Sequence, residues 1–192
     1  GATTAAINVN PTSTTTYTVT VTGAGGCTKT ASATVVVNPR PNAAITGDLE
    51  ICAGEPTTLT ATGGGTYSWS NGSIEYWITV NPSATTTYTV TVTSAAGCTQ
   101  TASVTVIVNP LPNANITGDL DICAGESTTL TTSGGGAYNW NTGSTASFIN
   151  VSPTVTTTYT VTVTSAAGCT KTATATVTVN PLPNAAIAGD LS

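Results

Sequence analysis

Apolar and polar residues alternate along most of this chain, in short bursts separated by turn residues. Tyr88, Val90 and Val92 are interleaved with Thr87, Thr89, Thr91 and Thr93, and Val104, Val106 and Val108 resume the alternation after an Ala95-Ala96-Gly97 turn. Successive side chains of a strand point to opposite faces, so the pattern predicts strands with one apolar face and one covered in threonine. Leu59 and Ala61 form a further inward pair within Thr57–Thr62, followed by a turn at Gly63-Gly64-Gly65. Tyr67 and Trp69 share the next inward face, Asn71-Gly72 is a hairpin-turn signal, and Ile78 and Val80 precede Asn81-Pro82. Six or seven short strands at this spacing predict an antiparallel β-sandwich.

The same design recurs. Leu130, Tyr138, Trp140, Ile149, Val151, Tyr159, Val161, Val163, Val177 and Val179 repeat the inward positions, and Cys27, Cys98 and Cys169 are spaced 71 residues apart, as are Cys52 and Cys123. Such a period marks an array of small units. The phase divides the chain into residues 1–38, the C-terminal part of a repeat; 39–109 and 110–180, two complete repeats; and 181–192, the first strand of another. Both ends fall inside repeats, which suggests a segment of a longer array, or a short subunit completed by strands donated from neighbours. The joints Asn38-Pro39-Arg40-Pro41-Asn42, Asn109-Pro110-Leu111-Pro112-Asn113 and Asn180-Pro181-Leu182-Pro183-Asn184 carry two prolines each, which favours stiff spacing or simply blocks edge pairing.

Composition narrows the class further. Charged residues make up 6% of the chain, where about 25% is usual, and much of the polar material is threonine. Val, Thr and Tyr favour strands, and strong helix formers are scarce, so almost no helix is expected. With Lys29, Arg40 and Lys171 as the only basic side chains and a net charge of -5, no basic patch can neutralise phosphates, and nucleic acid is not an expected partner. No apolar run approaches the roughly 20 residues that span a bilayer, and no start resembles a signal peptide, so targeting or anchoring signals are expected outside these residues.

Candidate chemistry is sparse. The chain has no histidine, no Gly-x-Ser-x-Gly elbow and no phosphate loop, so neither catalysis nor a cofactor is expected. Two cysteines per repeat at constant phase, without Cys-x-x-Cys, point to disulfides in an oxidising compartment rather than to zinc. The favoured pairing is within each repeat, Cys52 to Cys98 and Cys123 to Cys169, with the partner of Cys27 lying outside the chain. The alternative joins Cys52 to Cys169 across the linker, because a full-length first strand would carry Cys52 to the pole opposite Cys98, beyond the roughly 7 Å Cα limit.

Asp48, Glu50 and Glu55, with Asp119, Asp121 and Glu126, are weak candidates for calcium ligation near a junction, against the plainer reading of solvated loop acids. Trp77 and Phe148 are out of phase with Ile78 and Ile149, which points them outward, either to stack on a sugar or a neighbouring filament or, as the favoured reading, to be partly buried against an adjacent strand or unit, whereas Trp69 and Trp140 are core. Asn71, Asn115 and Asn150 satisfy the Asn-x-Ser/Thr rule. The threonine faces read as solvated β-formers or O-glycan acceptors; one rank per repeat is too sparse for ice.

Several runs carry a family resemblance. Ile-Cys-Ala-Gly-Glu at 51–55, Tyr-x-Trp at 67–69, Thr-Thr-Thr-Tyr-Thr-Val-Thr-Val-Thr at 85–93 and Gly-Cys-Thr at 97–99 resemble the immunoglobulin-like or PKD-like repeats of bacterial surface adhesins. Such repeats are common in large proteins exported by the type IX secretion system of gliding Bacteroidota. The resemblance implies an all-β fold of tandem immunoglobulin-like antiparallel β-sandwiches in series, secreted to the cell surface or beyond. It further implies a structural segment of an adhesin, stalk or filament, acting as a disulfide-stabilised semi-rigid spacer whose partners are neighbouring repeats or other copies. The alternative is a carbohydrate-binding module that meets surface glycans through its exposed aromatics.

Overall fold

The computed structural model describes residues 3–186, and among them there is no helix. In chain order the strands are β1 (Thr15–Thr22), β2 (Thr28–Val35), β3 (Ala44–Thr46), β4 (Glu50–Cys52), β5 (Thr57–Thr62), β6 (Thr66–Trp69), β7 (Trp77–Val80), β8 (Thr86–Thr93) and β9 (Thr99–Asn109). They continue as β10 (Asn115–Thr117), β11 (Asp121–Cys123), β12 (Thr128–Ser133), β13 (Ala137–Trp140), β14 (Phe148–Val151), β15 (Thr157–Thr164) and β16 (Thr170–Asn180). Two compact units result. The first comprises Gly1–Leu49, Pro56–Asn81 and Thr85–Val106, and the second Glu50–Glu55, Pro82–Ala84 and Ile107–Ser192.

In the second unit one sheet has the order β10-β12-β14 and the other β11-β16-β15-β13. All pairings are antiparallel except β11 with β16, which is parallel. This is the immunoglobulin-like arrangement, two sheets packed over alternating inward residues. Both sheets supply the core: Leu130, Ile149 and Val151 from one, and Ile122, Trp140, Tyr159, Val161 and Val177 from the other. The threonines between them stay on the outer face, as the alternation dictates. Sheet orders β3-β5-β7 and β4-β9-β8-β6 repeat the design, and Leu59, Trp69, Ile78, Val80, Tyr88, Val90, Val92 and Val106 fill the core of the first unit.

The first strand of each repeat is broken, which the apolar pattern did not reveal. In the second unit β10 pairs with β12, but after Gly118 the chain crosses to the other sheet and β11 pairs with β16 instead. Gly118 sits at φ +151°, where any Cβ would run into the Thr129 carbonyl oxygen. Only glycine enters that region of backbone space without cost, so a Gly at this phase permits the switch. Gly47, at φ +152° against the Thr58 carbonyl, does the same between β3 and β4.

Two further features come from packing. Threonine and serine hydroxyls bond across strands on the outer faces, Thr87 to Thr105 at 2.9 Å, Thr89 to Ser103 at 2.8 Å and Thr158 to Thr176 at 2.9 Å, so these polar faces are laced together as well as solvated. Thr132 is buried with its hydroxyl unpartnered, where the equivalent residue of the first unit is the buried Ala61. An unsatisfied buried hydroxyl costs roughly 1–3 kcal/mol.

Candidate functional site

The chemistry of this chain concentrates where a short strand meets the end of a long one. β4 runs parallel to the end of β9, with Ile51 opposite Val108 and Cys52 opposite Asn109. The Asn109 carbonyl accepts the Ala53 amide proton at 2.9 Å, which holds the chain just beyond the cysteine. Glu55 then closes the turn from both sides: its backbone N–H donates to the Cys52 carbonyl at 3.0 Å, and its carboxylate accepts from the Cys52 N–H at 3.2 Å. Ile-Cys-Ala-Gly-Glu is therefore a clamp that presents a cysteine at a fixed place and angle.

The second cysteine arrives on the β15–β16 turn. Ser165 donates its N–H to the Cys169 carbonyl at 2.8 Å and accepts the Cys169 N–H on its hydroxyl at 3.2 Å, and Gly168 donates to the Ser165 carbonyl at 3.0 Å. Cys169 is 1% exposed and its sulfur lies 3.9 Å from the Asn109 carbonyl oxygen. The two cysteines meet as a Cys52–Cys169 disulfide with Cα atoms 5.6 Å apart, well inside the usual geometry, across 117 residues of sequence.

This corrects the pairing favoured from the sequence. Cys52 is not bonded to Cys98, nor Cys123 to Cys169; Cys98 and Cys123 are free thiols, as is the exposed Cys27. The reason is visible within the second unit. Cys123 lies opposite Asn180, the last residue of β16, whereas Cys169 immediately precedes Thr170, the first. An 11-residue strand separates them, roughly 36 Å at 3.3 Å per residue. The parallel register that the glycine switch creates puts the two cysteines of one repeat at opposite ends of the same strand, and a bridge within the repeat is out of reach. Cys52–Cys169, the alternative, joins cysteines that belong by phase to consecutive repeats.

The remaining candidates lie in different environments. The carboxylates of Glu55 and Glu126 are engaged locally, Glu126 accepting the Cys123 N–H at 2.9 Å, and Asp119 accepts the Asp121 N–H at 3.2 Å. The Asp48 carbonyl accepts from the Thr57 hydroxyl at 2.8 Å, and Glu50 opens β4 opposite Ile107. Among the described residues no three acidic or thiol groups converge to hold a metal. Trp77 and Phe148 are 45% and 52% exposed, while Trp69 and Trp140 are buried, their indole N–H groups donating to the carbonyls of Glu75 at 2.8 Å and Ala146 at 2.9 Å. Asn71 lies in a turn, its side-chain oxygen accepting from Ser73 N–H at 3.2 Å; Asn115 is exposed on β10; Asn150, also exposed, accepts from the Thr129 hydroxyl at 2.6 Å. No helix among the described residues is long and apolar enough to cross a membrane.

The strand order and shared core define the class of this chain: tandem immunoglobulin-like β-sandwiches. No protein-family model matches it, and no curated protein does. Solved structures that resemble it include a Ca2+-stabilised adhesin with which an Antarctic bacterium binds ice, at 19% identity and a TM-score of 0.37 over 90% of this chain and 58% of that one. The insect immune protein hemolin matches at 14% identity and a TM-score of 0.41, over 86% of this chain and 56% of that one. A 1.5-MDa bacterial ice-binding adhesin matches at 17% identity and a TM-score of 0.36, over 87% of this chain and 74% of that one. The chain thus spans 58% and 56% of the first two, and likenesses this loose transfer no ligand to it.

Proposed function

We propose that this chain is a structural repeat segment of an extracellular adhesin, stalk or filament, a disulfide-stabilised semi-rigid spacer whose partners are neighbouring repeats or other copies of the chain. The observation that carries the proposal is the Cys52–Cys169 bond, because it ties together cysteines of consecutive 71-residue repeats. A bridge of that kind resists extension along the chain. Disulfides persist in oxidising surroundings, which supports export to the cell surface or beyond. Low charge supports close association, since little repulsion opposes it. The same sequence offers no histidine and no acid–base pair fixed in a cleft, so the reading assigns it no catalytic step.

Single-molecule extension tests the mechanical role. Pulled by its ends under oxidising conditions, the chain withholds the 117-residue span closed by the bond, and reduction releases it, lengthening the fully extended molecule by roughly 40 nm. Equal extension before and after reduction would remove the staple from the account. A second role, stacking of a sugar ring, is favoured by the exposure of Trp77 and Phe148. Its signature is glycan-array binding that disappears in the Trp77→Ala, Phe148→Ala double variant; a silent array leaves the spacer reading alone.

A further inference from the structure

One segment of the repeat changes from copy to copy while the frame that holds it does not. Thr85–Thr99 and Thr156–Thr170 are identical in sequence, yet Ile74-Glu75-Tyr76-Trp77 answers by phase to Thr145-Ala146-Ser147-Phe148 in the next repeat and to Thr3-Thr4-Ala5-Ala6 in the preceding one. The backbone of the segment is pinned alike in both units. Trp69 N–H donates to the Ser73 carbonyl at 2.8 Å and Ala61 N–H to the Tyr76 carbonyl at 2.7 Å, while Trp140 and Thr132 donate to the Ser144 and Ser147 carbonyls at 2.9 Å each. The buried indoles of Trp69 and Trp140 add a bond to Glu75 and Ala146 at 2.8 and 2.9 Å. Folding therefore fixes the path of the loop and leaves its side chains free to differ.

In the first unit those side chains surround an exposed ring. Trp77 stands on β7 opposite Thr60, 45% exposed, and with Asn71, Ser73, Glu75, Ile78 and Thr79 it lines a surface recess of about 390 Å³. Polar groups flank the ring. Asn71 Oδ1 accepts the Ser73 N–H at 3.2 Å, which leaves the amide Nδ2 as a double donor, and Ser73 Oγ accepts the Glu75 N–H at 3.3 Å and keeps its own proton to give. Glu75 adds a carboxylate acceptor, and among the described residues no basic side chain lines the recess. In the second unit the same positions hold Thr142, Ser144, Ala146 and Phe148, so a ring is kept while the amide and the carboxylate are not.

We propose that the recess at Trp77 binds a neutral glycan, with the indole as platform and Asn71, Ser73 and Glu75 as the groups that read its hydroxyls. This rests on the reading above that the exposed rings stack on sugar, and it assigns the complete site to the first unit alone. A pyranose carries C–H groups on its face, which meet the electron-rich indole, and hydroxyls at its rim, which need donors and acceptors beside the ring. An apolar peptide would cover Trp77 but strip water from the Asn71 amide and the Glu75 carboxylate without replacing it. An acidic sugar would set a second anion against Glu75 with no cation between them. Because the loop is already held in place, little order is lost on binding.

Isothermal titration calorimetry of the full chain, with neutral fragments of β-glucan, mannan and xylan and with oligogalacturonate, is the test. At least one neutral fragment binds, and oligogalacturonate does not. Trp77→Leu and Asn71→Ala each weaken binding at least about tenfold, whereas Trp77→Phe keeps the platform and most of the affinity. Phe148→Ala changes the affinity by no more than about twofold, as a surface substitution away from the site should. Equal losses at Trp77 and Phe148 would leave sugar stacking in place and overturn the assignment to the first unit, while silence with every neutral fragment would remove both. Oligogalacturonate bound as tightly as the neutral fragments, or a concentration-dependent dimer that shields Trp77 and excludes glycan, also overturns the proposal.

Discussion

Replacing Cys52 with serine, or reducing the native protein, lowers the stability of the second unit by about 5 kcal/mol in the chain-entropy model, because the bond closes 117 residues. Small domains are stable by only about 5–15 kcal/mol, so a loss of this size brings the unit close to unfolding at ordinary temperature. Each kcal/mol moves the midpoint by several degrees in a domain of this size, and the melting temperature falls by at least about 20 °C. Thermal denaturation followed by circular dichroism, with and without reductant, reads the shift. Serine at Cys27 or Cys123, which form no bond, changes stability by no more than about 0.5 kcal/mol, the usual range for unremarkable surface sites. Equal loss at Cys123 and Cys52 would place the bond elsewhere.

The largest single packing effect is expected at Trp140. Its side chain is 2% exposed, it shares the core cluster with Leu130, Tyr159 and Val161, and its indole N–H is paired with the Ala146 carbonyl. Truncation to alanine removes the ring and leaves a cavity that the sheets on either side cannot fill, at a cost of about 3–5 kcal/mol. Trp140→Phe keeps most of the volume and loses the hydrogen bond, so it lies in between. Phe148→Ala is the control: its ring is 52% exposed, and its loss should fall near the range of a surface change. Urea denaturation with unchanged m-values reads all three, and a Trp140→Ala variant as stable as the native chain would refute the assigned core.

Much of this was legible in the sequence. The Tyr-x-Val-x-Val alternation locates β8 and β15 and their inward faces, and the phase of Trp69 against Trp77 separates a core tryptophan from an exposed one, because alternation is a local property of a strand. The path of the first strand was not legible. Thr-Gly-Asp-Leu at 46–49 has no alternating pattern, and nothing in it states that Gly47 occupies a backbone region closed to other residues or that β4 leaves β5 for β9. Strand length alone raised Cys52–Cys169 as the alternative pairing, and the parallel register of Cys52 with Asn109 decides in its favour. Nor does alternation report whether a face has a partner. The cross-strand hydroxyl pairs escaped for the same reason, since register is fixed between strands.

Disulfide mapping after glutamate-specific digestion of the non-reduced protein tests the central claim most directly. Cleavage after Glu50, Glu75 and Glu126, with the bond after Glu55 protected by Pro56, leaves Cys52 on fragment 51–75, Cys98 and Cys123 together on 76–126, and Cys169 on 127–192. A staple between consecutive repeats links 51–75 to 127–192 and leaves 76–126 unattached with two free thiols. Recovery of 76–126 joined to both of the others would show bridges within each repeat and contradict it.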